Sequence, residues 1–343
     1  MRNKRQPLSW SILSLYKSEL YGLTILWIMI FHSYLMKVNF FKGAGVPLDY
    51  THTLVSHGNM GVDIFLFLSG IFCFYSFAKK PGFFAYERKR YSRLIIPLLL
   101  INGGYWISRL MEDGNIVKFI LRVTMLDFWV TGDSQVWFVS LIWVCYLLYP
   151  LIFRCIYTSD LKIKPINWFV LIGIVVAGTF LMRYLEPKLF NKWEIAITRI
   201  PVFIIGCGFG WIVKEKKKLH PALAVISMAL IPITLWIIHD FKIKGIYIRY
   251  FYIFGIAYLI TAAFILYALN FEPLNKFLRF FGNMSLQLYL THILLRKILA
   301  NAKFYHKGNP YYYFMLLAVS VGIAFASYLF EEKVIRRNKK LVQ

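Results

Sequence analysis

From Leu20 to Leu329 the chain is a succession of apolar runs separated by short polar or basic stretches. Several runs reach about 20 residues, the length at which a helix rising ~1.5 Å per residue crosses ~30 Å of hydrocarbon. The pattern predicts ten spans: Leu20–Lys37, Gly61–Phe77, Leu94–Ile107, Val136–Ile156, Asn167–Met182, Ile200–Val213, Pro221–Ile238, Ile248–Leu269, Phe281–Leu299 and Tyr311–Leu329. The third and sixth are short, which points to ends set in polar cavities. The expected fold class is therefore all-α, a polytopic membrane protein of about ten transmembrane helices. No internal repeat, low-complexity tract or long polar insertion divides it, so residues 1–343 read as a single membrane domain with basic ends at 1–19 and 331–343.

Composition agrees: 59% of residues are hydrophobic, 19% aromatic and only 16% charged, too little polar surface for a water-soluble domain. The net charge of +24 would suggest nucleic acid in a soluble chain. Here the basic residues cluster beside spans, where they set topology, so no nucleic-acid partner is expected and membrane lipid is. With the N-terminus inside, alternate loops hold 24 of the 40 Lys and Arg residues on the inner side and 16 on the outer, which places both termini in the cytoplasm. The densest cluster, "KKPGFFAYERKRYSR", lies between the second and third spans. Cys73, Cys145, Cys155 and Cys207 sit within or at the edges of apolar runs without CxxC spacing and read as packing residues. The basic start leads into a long span with no small-residue cleavage site, so the first span is expected to be retained.

Ionisable groups inside spans are costly and mark function by default. His32 lies 10 residues after Gly22, and His292 lies 10 residues after Gly282 on a span of the same direction. Both rings should stand ~15 Å above their glycines, at one mid-membrane level. In "GNMSLQLYLTH" and beyond, Ser285, Tyr289, His292 and Arg296 are spaced 4, 3 and 4, so they share one helical face. Packing between helices is the alternative reading of that stripe. Asp63, about a turn below the outer surface in the second span, needs a partner. A histidine on the adjacent span would make an oriented general base of the pair; an interfacial helix cap is the other reading. No GxSxG, HExxH, P-loop or GxGxxG stands in a plausible context. None of the seven histidines has an aspartate five residues on, as glycerolipid acyltransferases do. No metal is expected, since no acidic or cysteine partner sits at ligand spacing from His32 or His292.

Six segments in order, "ELYGLTILWIMIFH", "GVDIFLFLSG", "RKRYSRLIIPL", "VWFVSLIWVCYLLYP", "TRIPVFIIGCGFG" and "NMSLQLYLTH", resemble the acyltransferase-three family of bacterial integral-membrane acyltransferases. The resemblance implies transfer of an acyl group, usually acetyl from cytoplasmic acetyl-CoA, to a hydroxyl of a cell-surface polysaccharide, glycolipid or related acceptor. It also implies a bacterial plasma-membrane location and possible work alongside other cell-envelope polysaccharide enzymes. The family's first span pairs an arginine with a histidine eleven residues on, three turns along one face and ~16 Å apart. This chain has Tyr21 at the arginine position, and a phenol cannot neutralise a phosphate. Lys17, one turn earlier, and Arg88, Arg90 and Arg93 beside the third span are then the expected donor-phosphate ligands, with Tyr21 among them. His32 is the expected general base or, failing that, a transient acyl carrier, oriented by Asp63; His292 and Tyr289 are expected to line the acceptor side or to stabilise the oxyanion. The rival readings are an exporter of polysaccharide or lipid-linked sugar with the histidines as proton relays, and an inactive relative serving as scaffold.

Overall fold

The computed structural model describes residues 7–38, 48–79, 82–300 and 308–340, and for 48–49 and 335–340 the backbone alone. The basic residues Arg2, Lys4 and Arg5, together with Lys80 of the second loop, lie outside the described residues. The described residues are 84% helical. Helix covers most of each of the ten apolar runs: α1 (Lys17–Leu35), α2 (Met60–Phe77), α3 (Phe83–Asp113), α4 (Trp137–Ile156), α5 (Pro165–Leu185), α6 (Ile200–Lys214), α7 (Pro221–Phe241), α8 (Gly255–Leu269), α9 (Ser285–Ala300) and α10 (Pro310–Lys340), the eighth run starting in the helix Gly245–Phe251 and turning through a 3-10 segment at Tyr252–Phe254 before α8. Shorter helices connect them, notably Leu48–Ser56, Ile116–Val123, Asp127–Thr131, Pro187–Ile197 and Glu272–Asn283.

Local chemistry sets several of these boundaries. Pro165 and Pro221 open α5 and α7, where a missing N–H costs nothing because the first turn has no partner for it. Gly114 closes α3 in the left-handed region at φ +62°, which a residue without Cβ adopts without strain. The third short run is the middle of the 31-residue α3. The sixth, α6, stays at 15 residues and follows Pro187–Ile197 across Thr198 and Arg199 within a 28-residue apolar stretch ending at Lys214.

Eight helical stretches among the described residues are long and apolar enough to cross a membrane, which makes the chain a multi-pass membrane protein. The two expected spans that fall short of that measure are α1 and α9. Helix α1 has 19 residues but carries Lys17, Glu19 and His32. Helix α9 has only 16, because Met284 leaves helical geometry (φ −113°, ψ 23°) and separates it from Glu272–Asn283. The helices that carry His32 and His292 are thus the two below that measure. Their polar groups are buried against protein: Glu19, His32 and His292 are 1%, 8% and 1% exposed.

Helix α2 forms the centre, with 78% of its apolar window buried, whereas α5 has 6% and lies at the periphery. Two glycine pairs bring backbones together. A Cβ at Gly70 would stand 2.4 Å from the Phe203 carbonyl oxygen and one at Gly206 2.1 Å from that of Phe67, so α2 and α6 touch main chain to main chain. In the same way a Cβ at Gly22 would stand 1.9 Å from the Leu278 oxygen and one at Gly282 1.7 Å from that of Ser18. Arg279 reinforces this second crossing, reaching Glu19 at 3.2 Å and Glu272 at 3.1 Å. The crossing fixes α1 against the segment that leads directly into α9, and so fixes the relative height of His32 and His292.

Candidate active site

At one end of the bundle, three cations gather around the start of α1. The Lys17 ammonium lies 4.1 Å from the Phe72 ring centroid and 5.8 Å from that of Tyr21. Arg90 on α3 donates to the Phe72 carbonyl (2.8 Å) and to Ser76 Oγ (2.7 Å), and its guanidinium stacks on Tyr146 at 5.0 Å and Tyr86 at 5.5 Å. Arg93 lies near enough for its charge to act on Lys17. Lys17 precedes the apolar stretch by three residues. Burial, and then the charges of Arg93 and Arg90, hold it below the ordinary lysine range, at about 8. Among the described residues no carboxylate lies within ion-pair distance of Lys17, Arg90 or Arg93. The charge of Arg90 does act on nearby Glu87, but crowded cations that no carboxylate pairs with form a site for an anion. Arg88 does not join them: it is exposed and, two residues before Arg90, points to another side of α3.

Tyr21 stands where this cluster meets a partly open cavity. Its ring stacks on Phe65 with centroids 5.3 Å apart, and the Ser69 hydroxyl lies between its phenol and that of Tyr146. The cavity has a volume of about 130 Å³ and is walled by apolar residues such as Ile28, Val62 and Phe138. Hydroxyls of Tyr21, Ser69, Tyr146, Ser285 and Tyr289 punctuate that wall. From Tyr21 to Ile28 is two turns of α1, ~10 Å along the axis, and the next turn carries His32.

His32 and His292 meet at the far side. His292 Nε2 lies 2.8 Å from His32 Nδ1, with ring centroids 4.8 Å apart, and the rings are 1% and 8% exposed respectively. The hydrogen bonds fix the tautomers. His292 Nδ1 lies 2.6 Å from the Leu288 carbonyl oxygen, which can only accept, so Nδ1 carries the proton. In the neutral ring Nε2 is then an acceptor, and His32 Nδ1–H must donate to it. This leaves the lone pair of His32 on Nε2, where it can take a proton from a substrate. Tyr289 packs edge-on against His292 at 5.8 Å and against Phe138 at 5.3 Å, joining the pair to the cavity.

The two rings share a level, since they hydrogen-bond. His32 is in the last turn of α1 and His292 in the middle of α9. The expected pairing of Asp63 with His32 is corrected. Asp63 Oδ2 accepts from Arg199 Nε at 3.2 Å, and the two side chains are 1% and 0% exposed. Arg199 in turn donates through Nη1 to the Ile195 carbonyl at 2.6 Å and lies over Trp137 and Tyr252. A guanidinium offered Asp63 the stronger, charge-assisted partner. Sequence reasoning gave Arg199 no role. The usable signal was a basic residue opening an apolar run, opposite a lone acid near the same end of the membrane.

The structure thus brings together Lys17, Tyr21, Arg90 and Arg93 at one end, and His32, His292 and Tyr289 toward the other, with the cavity between. It leaves Arg88 outside and joins Asp63 to Arg199. A family model described as an acyltransferase domain, that of the acyltransferase-3 family, matches residues 21–329, nearly the whole chain. No curated protein and no solved structure matches.

Proposed function

Because the chain belongs to the acyltransferase-3 family, and is therefore a membrane acyltransferase, we propose that it moves an acetyl group from cytoplasmic acetyl-CoA to a hydroxyl of a cell-surface polysaccharide, glycolipid or related envelope acceptor. The site would lie in a bacterial plasma membrane, with the Lys17 end and both termini facing the cytoplasm, as the distribution of basic residues supports. The observation that carries the reading is the oriented histidine pair: His32 Nε2 holds a free lone pair because His292 occupies Nδ1.

In this reading Lys17, Arg90 and Arg93 hold the donor's phosphates, and the cavity between Tyr21 and Tyr289 takes the thioester end. A space of about 130 Å³ is close to that of an apolar cavity that accepts one benzene ring, a size that suits a short acyl group better than a long chain. His32 Nε2 takes the proton of the acceptor hydroxyl as its oxygen attacks the thioester carbonyl. His292 Nε2, accepting from His32 Nδ1–H, stabilises the imidazolium that forms. When the tetrahedral intermediate collapses, the carbon–sulfur bond breaks and His32 returns the proton to the departing thiolate. A positioned general base of this kind contributes about 10²–10⁴-fold in rate. Tyr289 lines the acceptor side of the cavity. Asp63 is left to architecture through Arg199. The family match favours transfer over export.

The test is to incubate membranes containing the protein with acetyl-CoA labelled in the acetyl group and to follow label into surface glycan. Label should appear with the wild type and vanish in His32→Ala at equal expression. Equal labelling by the variant would remove His32 from the mechanism.

A further inference from the structure

Arg296 is the last member of the polar stripe on α9, one turn beyond His292 and two beyond Tyr289. It lies on the side of the histidine pair away from Lys17. Its charge acts on four side chains from three helices: His32 of α1, Tyr289 and His292 of α9, and Tyr313 of α10. Tyr313 is itself fixed, donating to the Met29 carbonyl one turn before His32. Arg296 therefore overhangs the histidine pair at the end opposite the donor cations.

Its neighbours at that end have found partners. Arg122 pairs with Asp127 at 3.4 Å, Arg109 with Glu112 and Asp113, and Lys297 donates to Gln135 Oε1 at 2.8 Å with Asp133 acting on it. Arg296 is half-buried, and among the described residues it has neither an ion pair nor a hydrogen bond. A guanidinium partly withdrawn from water without a counter-charge is costly to hold, yet still accessible to an anion that enters from that side.

We propose that Arg296 is the anion-recognising arm of the acceptor subsite: the hydroxyl presented to His32 belongs to a molecule carrying a carboxylate or phosphate about one helical turn, ~5 Å, outward of it. The inference rests on the acyl-transfer reading above and narrows the acceptor to an acidic class. Such a group would meet Arg296 in a two-pronged hydrogen bond, with the ammonium of the next residue, Lys297, which has a neutral hydrogen-bond partner in Gln135, adding positive charge nearby. The donor enters from the opposite end, so the two anionic substrates would be held by separate cation sets with the histidine pair between them.

The experiment uses the full chain in lipid nanodiscs and three probes of similar size: methyl glucoside, methyl glucuronide and glycerol phosphate. Binding is followed by intrinsic tryptophan fluorescence, and acyl transfer by label from acetyl-CoA. At least one anionic probe should bind the wild type about tenfold or more tighter than the neutral glucoside, as a charge-assisted hydrogen bond of ~1.5–3 kcal/mol would give. Arg296→Gln should erase that preference while leaving glucoside binding within about twofold, and Arg296→Lys should keep part of it. Which anion gains the preference tells a carboxylated acceptor from a phosphorylated one. The proposal is overturned if the wild type shows no preference for either anion. It also falls if Arg296→Gln retains the preference, or if that variant weakens all three probes equally, as a merely structural residue would. A binding preference that follows Arg296 with no label reaching any acceptor would refute the transfer reading and leave the anion subsite standing.

Discussion

Two of the buried polar pairs that join helices in this bundle are built on opposite principles. Asp63 and Arg199 form a closed pair: opposite charges at 3.2 Å, with the guanidinium also tied to a carbonyl and flanked by two aromatic rings. His32 and His292 form an open one: one hydrogen bond at 2.8 Å joins two neutral rings, a carbonyl anchors the second, and Nε2 of the first has no hydrogen-bond partner among the described residues, with Ile28 one turn before it lining the cavity. The residues Trp137 and Phe138 at the start of α4 stand between the pairs, Trp137 under Arg199 and Phe138 against Tyr289. A charged pair that holds its two partners together fixes helix positions first, even though Asp63 Oδ1 and Arg199 Nη2 find no hydrogen-bond partner among the described residues. A weaker pair with a vacant lone pair can do proton transfer. The same cost of placing polar groups in a membrane thus serves architecture in one place and chemistry in the other.

The contrast is sharpest under mutation. His32→Ala should reduce acyl transfer by about 10²–10⁴-fold while leaving the protein's thermal stability in detergent close to wild type, measured by label transfer and by a melting assay on one preparation. For the closed pair, Asp63→Leu alone should destabilise by about 3–5 kcal/mol, because it leaves a buried guanidinium unpaired. The double variant Asp63→Leu, Arg199→Met should recover most of that loss, and with it acyl transfer. A double variant of native stability that transfers no label would break the comparison and return Asp63 to the chemistry. His292→Gln should cost about 10²-fold, the lower end of what a proton-transfer arrangement contributes. It should lower kcat with little change in the Michaelis constant for acetyl-CoA, since the orienting partner touches no donor phosphate.

The smallest expected effect concerns the donor end. Lys17 is held at about 8 by burial first and then by Arg93 and Arg90. A bound phosphate would raise it again, so donor binding takes up a proton. Affinity should be full below about pH 8 and decline as the pH rises through that value, appearing as an increase of a few fold in the acetyl-CoA Michaelis constant between about pH 7 and pH 9. The increase should disappear in Lys17→Ala, whose Michaelis constant should already be raised at neutral pH. A wild-type constant that stays flat across this interval would take Lys17 out of the donor site.

All ten apolar runs were legible as helices, because hydropathy and the 3.6-residue period are local properties of a chain. So were the gathering of Ser285, Tyr289, His292 and Arg296 on one face and the departure from the family pattern at Tyr21. What the sequence left open was partnership. Asp63 had several basic residues within conceivable reach, and nothing in its own segment distinguishes Arg199 from His32. That choice depends on how α2 and α6 are rotated, which the main-chain approach at Gly70 and Gly206 decides.

The same division holds across the donor and acceptor ends. The chain alone determined that position 21 lacks a cation and that lysine and arginine lie nearby; only the packing of α1 against α2 and α3 put Lys17 and Arg90 on either side of the Phe72 and Tyr21 region and left Arg88 out. It placed two histidines ten residues beyond two glycines, and the crossing of Gly22 with Gly282 converted that arithmetic into a 2.8 Å hydrogen bond. Hydropathy is summed along the chain, so sequence determines which segments enter the membrane. Hydrogen bonds and ion pairs depend on distances of a few ångströms between segments far apart in sequence, and those exist only once the helices have packed.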